Sequence, residues 1–428
     1  MKKTFKWLAL ALAIAMVFAF AACNTNTVVE ETTAATADED ATVEDATNAI
    51  VDAIERTAIA KEDLKLGFIF LHDENSTYDK NFMTAAKAVQ EKYGLTDEQV
   101  LFKSNIPEGE ECYNTAAEFA EAGCQMIFAD SFGHESYMVQ AAKDFPEVEF
   151  CHATGTNALT SGLSNYHNAF ASIYEGRFLA GVAAGMKLNE MIENGEITAE
   201  EAKIGYVGAY PYAEVKSGYT SFFLGARYIC ESATMEVKYT NSWFDIAAEK
   251  EAALALIADD CVLISQHADS EGAPKACEEN NIPNVAYNIS TIDIAPTTAL
   301  ISSKIDWTPY FEHVIDALLN GTAIDTDWCG SLSTGSVQLT ELNTACAAEG
   351  TQEKIDEIKA QLMDGSLKVF DTARFTVDGV ALDTYLADVI PDDAYTPDTE
   401  AIKDGCFAES SDRSAPYFDI LIDGITEM

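Results

Sequence analysis

The sequence predicts an α/β protein made of two consecutive units, each a mostly parallel sheet wrapped by helices on both faces. Three observations lead there. Apolar runs of four to six residues alternate with segments of helical periodicity, as in strand-helix-strand units. The alternation restarts after a long helical stretch at 174–186. The body of the chain, 62–428, is long enough for two cores of ordinary size, and 48% of the residues are hydrophobic.

Ahead of that body, three lysines within 1–6 precede an apolar run at 8–20 that is too short to span a bilayer, and Ala21-Ala22-Cys23 closes it. A basic head, an apolar middle and a small-residue exit make 1–22 a secretory signal peptide. A cysteine at the cleavage point marks a bacterial lipobox, so Cys23 is expected to carry lipid that tethers the mature chain to a membrane. Residues 23–61 are rich in Thr, Ala, Asp and Glu and hold no aromatic side chain. Such a stretch buries too little apolar area to offset the entropy of ordering it, so it is expected to be a disordered acidic tether.

In the first unit, a strand at 66–71 leads to a helix over 81–93, a strand at 100–103, a helix over 112–122 and a strand at 126–129. The helix at 174–186 opens the second unit, with strands at 203–207, 236–239, 261–265 and 285–287. Helices over 219–228, 247–258 and 272–279 separate them, and Asp245 stands where the 247–258 helix needs an N-cap. No sequence repeat relates the two units, so their likeness is architectural. Beyond 333 the pattern is weaker, with short strands at 337–339 and 373–377 and a polar excursion over 390–414.

The formal net charge of −45, from 71 acids against 26 bases, narrows the partners. Such a field repels phosphate backbones and leaves no basic stripe to track one, which argues against nucleic acid. Nine cysteines remain besides Cys23, without zinc-site spacing, and several sit in apolar runs, such as Cys261 before Val262-Leu263-Ile264. They read mainly as small core residues, with at least one unpaired thiol. No GxSxG elbow, HExxH helix, Walker loop or dinucleotide fingerprint occurs, so neither catalysis, metal nor cofactor is expected. His267 near Asp269 has the look of an acid/base pair, but its strand-end position favours a structural or ligand-contacting role.

In open parallel sheets, ligands bind beyond the carboxyl ends of the strands. Here those junctions share a composition: His72 to Asp79 after the first strand, Asp130-Ser131-Phe132-Gly133 after the third, Asn241-Ser242-Trp243-Phe244-Asp245, Gln266-His267-Ala268-Asp269-Ser270, and Tyr287-Asn288. Aromatic rings stack on a flat ligand and carboxylates accept from its amino, imino or hydroxyl groups.

The same junctions carry a family likeness. Lys65-Leu66-Gly67-Phe68-Ile69, Asn105-Ile106-Pro107-Glu108-Gly109, Ile127-Phe128-Ala129-Asp130-Ser131-Phe132-Gly133 and His152-Ala153-Thr154-Gly155 resemble successive blocks of the basic membrane protein family of bacterial lipoproteins. So do Tyr174-Glu175-Gly176-Arg177-Phe178-Leu179-Ala180-Gly181, Lys203-Ile204-Gly205-Tyr206-Val207, Phe223-Leu224-Gly225-Ala226-Arg227 and the Trp243 and Asp269 junctions, in family order over roughly 65–321. The resemblance implies a type I periplasmic-binding-protein fold, two doubly wound parallel-sheet lobes joined by a three-strand hinge. Lobe 1 would comprise 62–172 and 306–325, lobe 2 173–305 and 326–428, with crossings near 170–175, 304–307 and 322–327.

It further implies an extracytoplasmic, lipid-anchored, monomeric solute-binding protein that hands a small molecule, usually a purine nucleoside or nucleobase, to the permease of an ABC importer. A sugar or amino acid binder, a sensor or adhesin on the same fold, and a lipid-anchored hydrolase are the alternatives. Carried over by position, Asn75, Tyr78 and Asp79 fall in the first-lobe ligand loop. Asp130, Ser131 and Phe132 fall in the next, Trp243 and Asp269 in the second lobe, and Asn288 where the family often has Asp. Gly218 stands where nucleoside receptors of the family carry a stacking Phe, and Trp243 or Trp307 is the substitute ring. A nucleoside, a free base and another flat heterocycle all remain open.

Overall fold

The computed structural model describes residues 56–392 and 394–428. The expected signal peptide, Cys23 and most of the expected tether lie outside the described residues. The tether's last residues do not hang free. Arg56 Nε pairs with Glu149 at 3.0 Å, its Nη2 donates to the Ser164 carbonyl at 2.7 Å, and the Ile59 N–H donates to the Leu318 carbonyl at 3.0 Å.

The first sheet contains β1 (Leu66–Ile69), β2 (Val100–Lys103), β3 (Met126–Ala129), β4 (Glu149–Ala153), β5 (Tyr166–Ala171) and β11 (Asp327–Gly330). They lie in the order β2-β1-β3-β4-β5-β11, all parallel. Helices cover both faces: α1 (Thr77–Tyr93), α2 (Glu110–Glu121), α3 (Glu135–Asp144) and the single turn α4 (Ala158–Ser161). Every residue of β1 and β3 is therefore buried, which is why they read as unbroken apolar runs and not as alternating ones. Helix α1 starts four residues earlier than the periodicity predicts, because the Ser76 side chain caps it by accepting from the Asp79 N–H.

The second lobe is entered through α5 (Ile173–Glu193). It contains β6 (Lys203–Gly208), α6 (Ala213–Ile229), β7 (Thr234–Tyr239), α7 (Ile246–Ala258), β8 (Leu263–Gln266), α8 (Gly272–Asn280), β9 (Asn284–Tyr287) and β10 (Ala299–Ile305). After α9 (Thr308–Asn320), which packs on α1 of the first lobe, the chain adds β12 (Val337–Leu339), α10 (Thr351–Met363) and, at its end, β17 (Ile425–Glu427). The sheet order is β12-β10-β9-β8-β6-β7-β17, parallel except for β10 with β12. Helices α5 and α6 cross closely because Gly181 and Gly225 present no side chain. A Cβ on either would come within 2.0 Å of a carbonyl on the opposite helix. Asp245 caps α7 as expected, accepting from the Ala247 and Ala248 N–H groups at 3.0 Å.

Three crossings join the lobes. The first is at Ser172, between β5 and α5, and the second at Asp306 and Trp307, between β10 and α9. The third follows β11 and runs over 331–336, not over 322–327, because β11 pairs with β5 in the first sheet before the chain crosses. The crossings bond one another, the Ser172 N–H to the Gly330 carbonyl at 2.7 Å and the Asp306 N–H to the Ser336 carbonyl at 2.6 Å.

The strand expected at 373–377 is a short 3-10 turn, Thr372–Arg374, with Asp371 accepting from the Ala373 N–H. The rest of the C-terminal region forms two short antiparallel pairs, β13 (Leu386–Ala387) with β14 (Thr399–Glu400) and β15 (Ile402–Lys403) with β16 (Cys406–Phe407). Stacked Phe370 and Phe418 anchor it, with ring centroids 4.4 Å apart. All nine described cysteines are free thiols, six of them buried. No helix among the described residues is long and apolar enough to cross a membrane.

Candidate functional site

In each sheet the strand order reverses beside the first strand of the lobe, between β1 and β3 in one and between β6 and β8 in the other. Loops leaving the carboxyl ends of such a pair diverge to opposite faces and leave a crevice. Both reversals open toward one cavity between the lobes, with about 380 Å³ of empty space, some of it open to solvent.

The walls come from the strand ends and the helix starts that follow them. Leu71 and His72 follow β1, Tyr78 and Asp79 open α1, Ser131 and Phe132 follow β3, and Thr154 follows β4. From the second lobe come Glu214 in the first turn of α6, Trp243 after β7, His267 and Asp269 after β8, and Tyr287 at the end of β9.

Asp79 organises its loop. Its carboxylate accepts from the His72 N–H at 2.7 Å and the Ser76 hydroxyl at 2.6 Å, with His72 Nδ1 at 3.4 Å. Burial alone would raise this acid, but the bonds from His72 and Ser76 hold it below the usual carboxylate range. Tyr78 stands edge-on to Phe82, with centroids 4.8 Å apart, and its hydroxyl donates to the Asp130 carbonyl at 2.8 Å. Phe132 remains 43% exposed at the rim, and its ring lies 5.8 Å from Tyr212 of the other lobe. Trp243 meets Tyr210 edge-on at 5.1 Å.

On the second lobe, Asp269 accepts from Asn288 Nδ2 at 3.0 Å. Burial, then the nearby carboxylates of Glu249, Asp79 and Glu214, push its acid well above the ordinary value. Tyr287 carries the Arg177 guanidinium 3.4 Å above its ring. Arg177 also donates to the Gln266 carbonyl at 2.8 Å, and its Nη2 lies 3.1 Å from His267 Nδ1.

Of the candidate residues, Tyr78, Asp79, Ser131, Phe132, Trp243 and Asp269 meet at the cavity. Four do not reach its wall. Asn75 is exposed on the loop before α1, where its side chain bonds Asp73. Asp130 is wholly buried behind the wall, accepting from the Leu71 N–H at 3.1 Å, and burial followed by the charge of Asp79 pushes its acid well above the usual range. Asn288 braces Asp269 from behind. Trp307 is 1% exposed in the core, stacked on Phe82 at 4.4 Å, because the second crossing carries it inward toward α1. It does not supply the ring absent at Gly218.

His267, expected from its strand-end position to be structural or ligand-contacting, is on the wall, while Leu71, His72, Thr154, Glu214 and Tyr287 were not singled out from the sequence. Two of the latter, His72 and Tyr287, stand in the same strand-end junctions as the chosen residues. Glu214 follows Tyr210-Pro211-Tyr212, a stretch without pattern until α6 is known to begin at Ala213. Rings from both lobes and the carboxylates of Asp79, Glu214 and Asp269 give a cavity suited to a flat molecule rich in hydrogen-bond donors.

A family model described as ABC transporter substrate-binding protein PnrA-like matches residues 68–368, more than half of the chain. A purine-binding protein of Brucella abortus is 32% identical over 316 residues, which cover 73% of this chain and 85% of that protein. A putative ABC transporter glucose-binding protein of Haloferax volcanii is 29% identical over 311 residues, 72% of each chain. Among solved structures, an ABC transporter system solute-binding protein from Conexibacter woesei matches with a TM-score of 0.58 at 18% identity, covering 71% of this chain and 98% of that one. One from Aeropyrum pernix matches with a TM-score of 0.59 at 14% identity, covering 72% and 93%. At these identities the structural likeness bears on the fold alone.

Proposed function

The chain belongs to the family of PnrA-like ABC transporter substrate-binding proteins and has the type I periplasmic-binding-protein fold, and on that premise we propose that its ligand is a purine nucleoside or free purine base. Substrate-binding proteins of ABC importers work outside the cytoplasm, with a small-molecule ligand and a permease as partners. In the proposed role the chain is a monomer tethered through acylated Cys23, and its lobes close on the purine before delivery.

The carrying observation is the composition of the cavity: Tyr78, Phe132 and Trp243 offer ring faces, while Asp79, Glu214 and Asp269 are placed for amino, imino or hydroxyl donors. The purine-binding relative from Brucella abortus supports the same reading. Carboxylates also suit sugar hydroxyls, and the putative glucose-binding relative makes glucose the second reading.

A thermal-shift panel of adenine, hypoxanthine, adenosine, guanosine, inosine, glucose and amino acids separates the two. Ligand at a hundred times Kd adds about 2.7 kcal/mol of stability. Purines are expected to give the largest rise in Tm. A rise with glucose or an amino acid and none with any purine would overturn the proposal.

A further inference from the structure

Arg177 leaves α5 just beyond the first crossing and is 1% exposed. A guanidinium can only donate, so the nitrogen of His267 that faces Arg177 Nη2 at 3.1 Å, Nδ1, must accept. The imidazole proton then sits on Nε2. Burial, and next the charge of Arg177, push His267 down to about 4, so the ring is neutral at physiological pH. Its Nε2 faces Glu214 Oε1 at 3.5 Å, the outer limit of a hydrogen bond, and both residues line the cavity. The ring fits only because residue 218 is glycine. A Cβ there would come within 2.7 Å of Nδ1 and 3.0 Å of Cε1.

We propose that His267 is the specificity-determining residue of the second lobe: it offers Nε2–H to an acceptor atom of the ligand while Glu214 beside it receives a donor from the adjoining position. This rests on the purine reading above and deepens it. The edge selected carries donor and acceptor side by side, as do the amidine edge of an aminopurine and the lactam edge of an oxopurine. The long contact with Glu214 is weak enough for a ligand atom to replace it. Arg177 is a positioning residue that acts through His267 by fixing its tautomer, and Gly218 is the space that admits the ring.

Two independent measurements test this. Nitrogen-15 NMR of the ligand-free protein at neutral pH reads the tautomer, with protonated Nε2 and bare Nδ1 expected. A protonated Nδ1 would overturn the proposal. Calorimetric titration with adenine compares wild type, His267→Phe, His267→Gln and Gly218→Ala. His267→Phe keeps a ring but no donor and is expected to bind about tenfold more weakly or worse. His267→Gln, whose amide can donate, is expected to recover most of that loss. Gly218→Ala displaces the imidazole and is expected to lose affinity like His267→Phe. Wild-type affinity in His267→Phe would remove His267 from recognition while leaving the purine reading intact. A wild-type protein that binds no purine would sink that reading, and the selected edge with it.

Discussion

The main-chain N–H of Thr77, the first residue of α1, donates to the carbonyl of Asp269 at 2.9 Å, so a backbone bond spans the cleft from a first-lobe helix to the loop after β8. The Thr77 hydroxyl reinforces it at 3.1 Å to the same carbonyl, and Asn288 Nδ2 approaches that hydroxyl at 3.4 Å. A first-turn N–H has no partner within its own helix. The opposite lobe supplies one here, so this bond belongs to the closed arrangement.

Thr77→Pro should therefore weaken closure without harming the helix. Proline is well tolerated at the first helical position, and Ser76 before it is already extended. Two lost neutral bonds are worth about 1–3 kcal/mol, or about fivefold or more in affinity. Ligand titration should find that loss, with ligand-free Tm little changed. Unaltered affinity would mean that the bond does not contribute to closure.

Rings on the wall and rings in the core should separate cleanly. Phe132→Ala at the exposed rim should weaken purine binding and leave ligand-free Tm nearly constant. Trp307→Ala should instead cost about 3–5 kcal/mol of stability, because it empties a packed site beside Phe82. Chemical denaturation of both variants checks this. A large stability loss in Phe132→Ala would assign that ring to packing.

Stability should vary with pH through Glu249. Burial pushes this acid up to about 7, against bonds from Ser270 and the Asp245 N–H. The folded protein then holds a proton that the unfolded chain releases above about 4.5, so the contribution is complete below pH 4.5 and is lost as pH rises through 7. Melting curves across that window should show wild type losing stability relative to Glu249→Gln, which cannot ionise. Buried His134 and His267, both pushed down to about 4, act in the opposite sense and cost stability as pH falls from 6.5. Parallel curves for wild type and Glu249→Gln would show that Glu249 does not titrate in this window.

Glu427 should anchor the C-terminal strand. Its Oε1 accepts from the hydroxyls of Tyr219 at 2.7 Å and Tyr239 at 2.6 Å, with Lys216 Nζ at 3.2 Å. Glu427→Ala leaves both hydroxyls without that acceptor and should cost about 1–3 kcal/mol. Thermal unfolding measures it. An unchanged Tm would mean that the pairing of β17 with β7 holds without the side chain.

The alternation of strand and helix was legible because strands buried on both faces tend to be apolar throughout, as β1 and β3 are. The site was legible in part. Tyr78, Phe132, Trp243 and Asp269 lie in the short segments just beyond strand ends, so the end of each strand points to them. Glu214 and Thr154 escaped because nothing local distinguishes them from ordinary helix and turn residues. Trp307 misled because a large ring beside a crossing has the same local pattern whether it faces ligand or core.

By itself the sequence determined the parallel α/β class, the two units, the strand ends that carry polar and aromatic residues, and a strongly negative net charge, since each follows from local composition and periodicity. Only the tertiary structure decided that β11 stays with the first sheet, that Asp130 and Trp307 lie behind the wall, and that His267 takes the space above Gly218. Those outcomes depend on which distant segments pack together, and packing is set by shape and burial across the whole molecule, which no short window of residues contains.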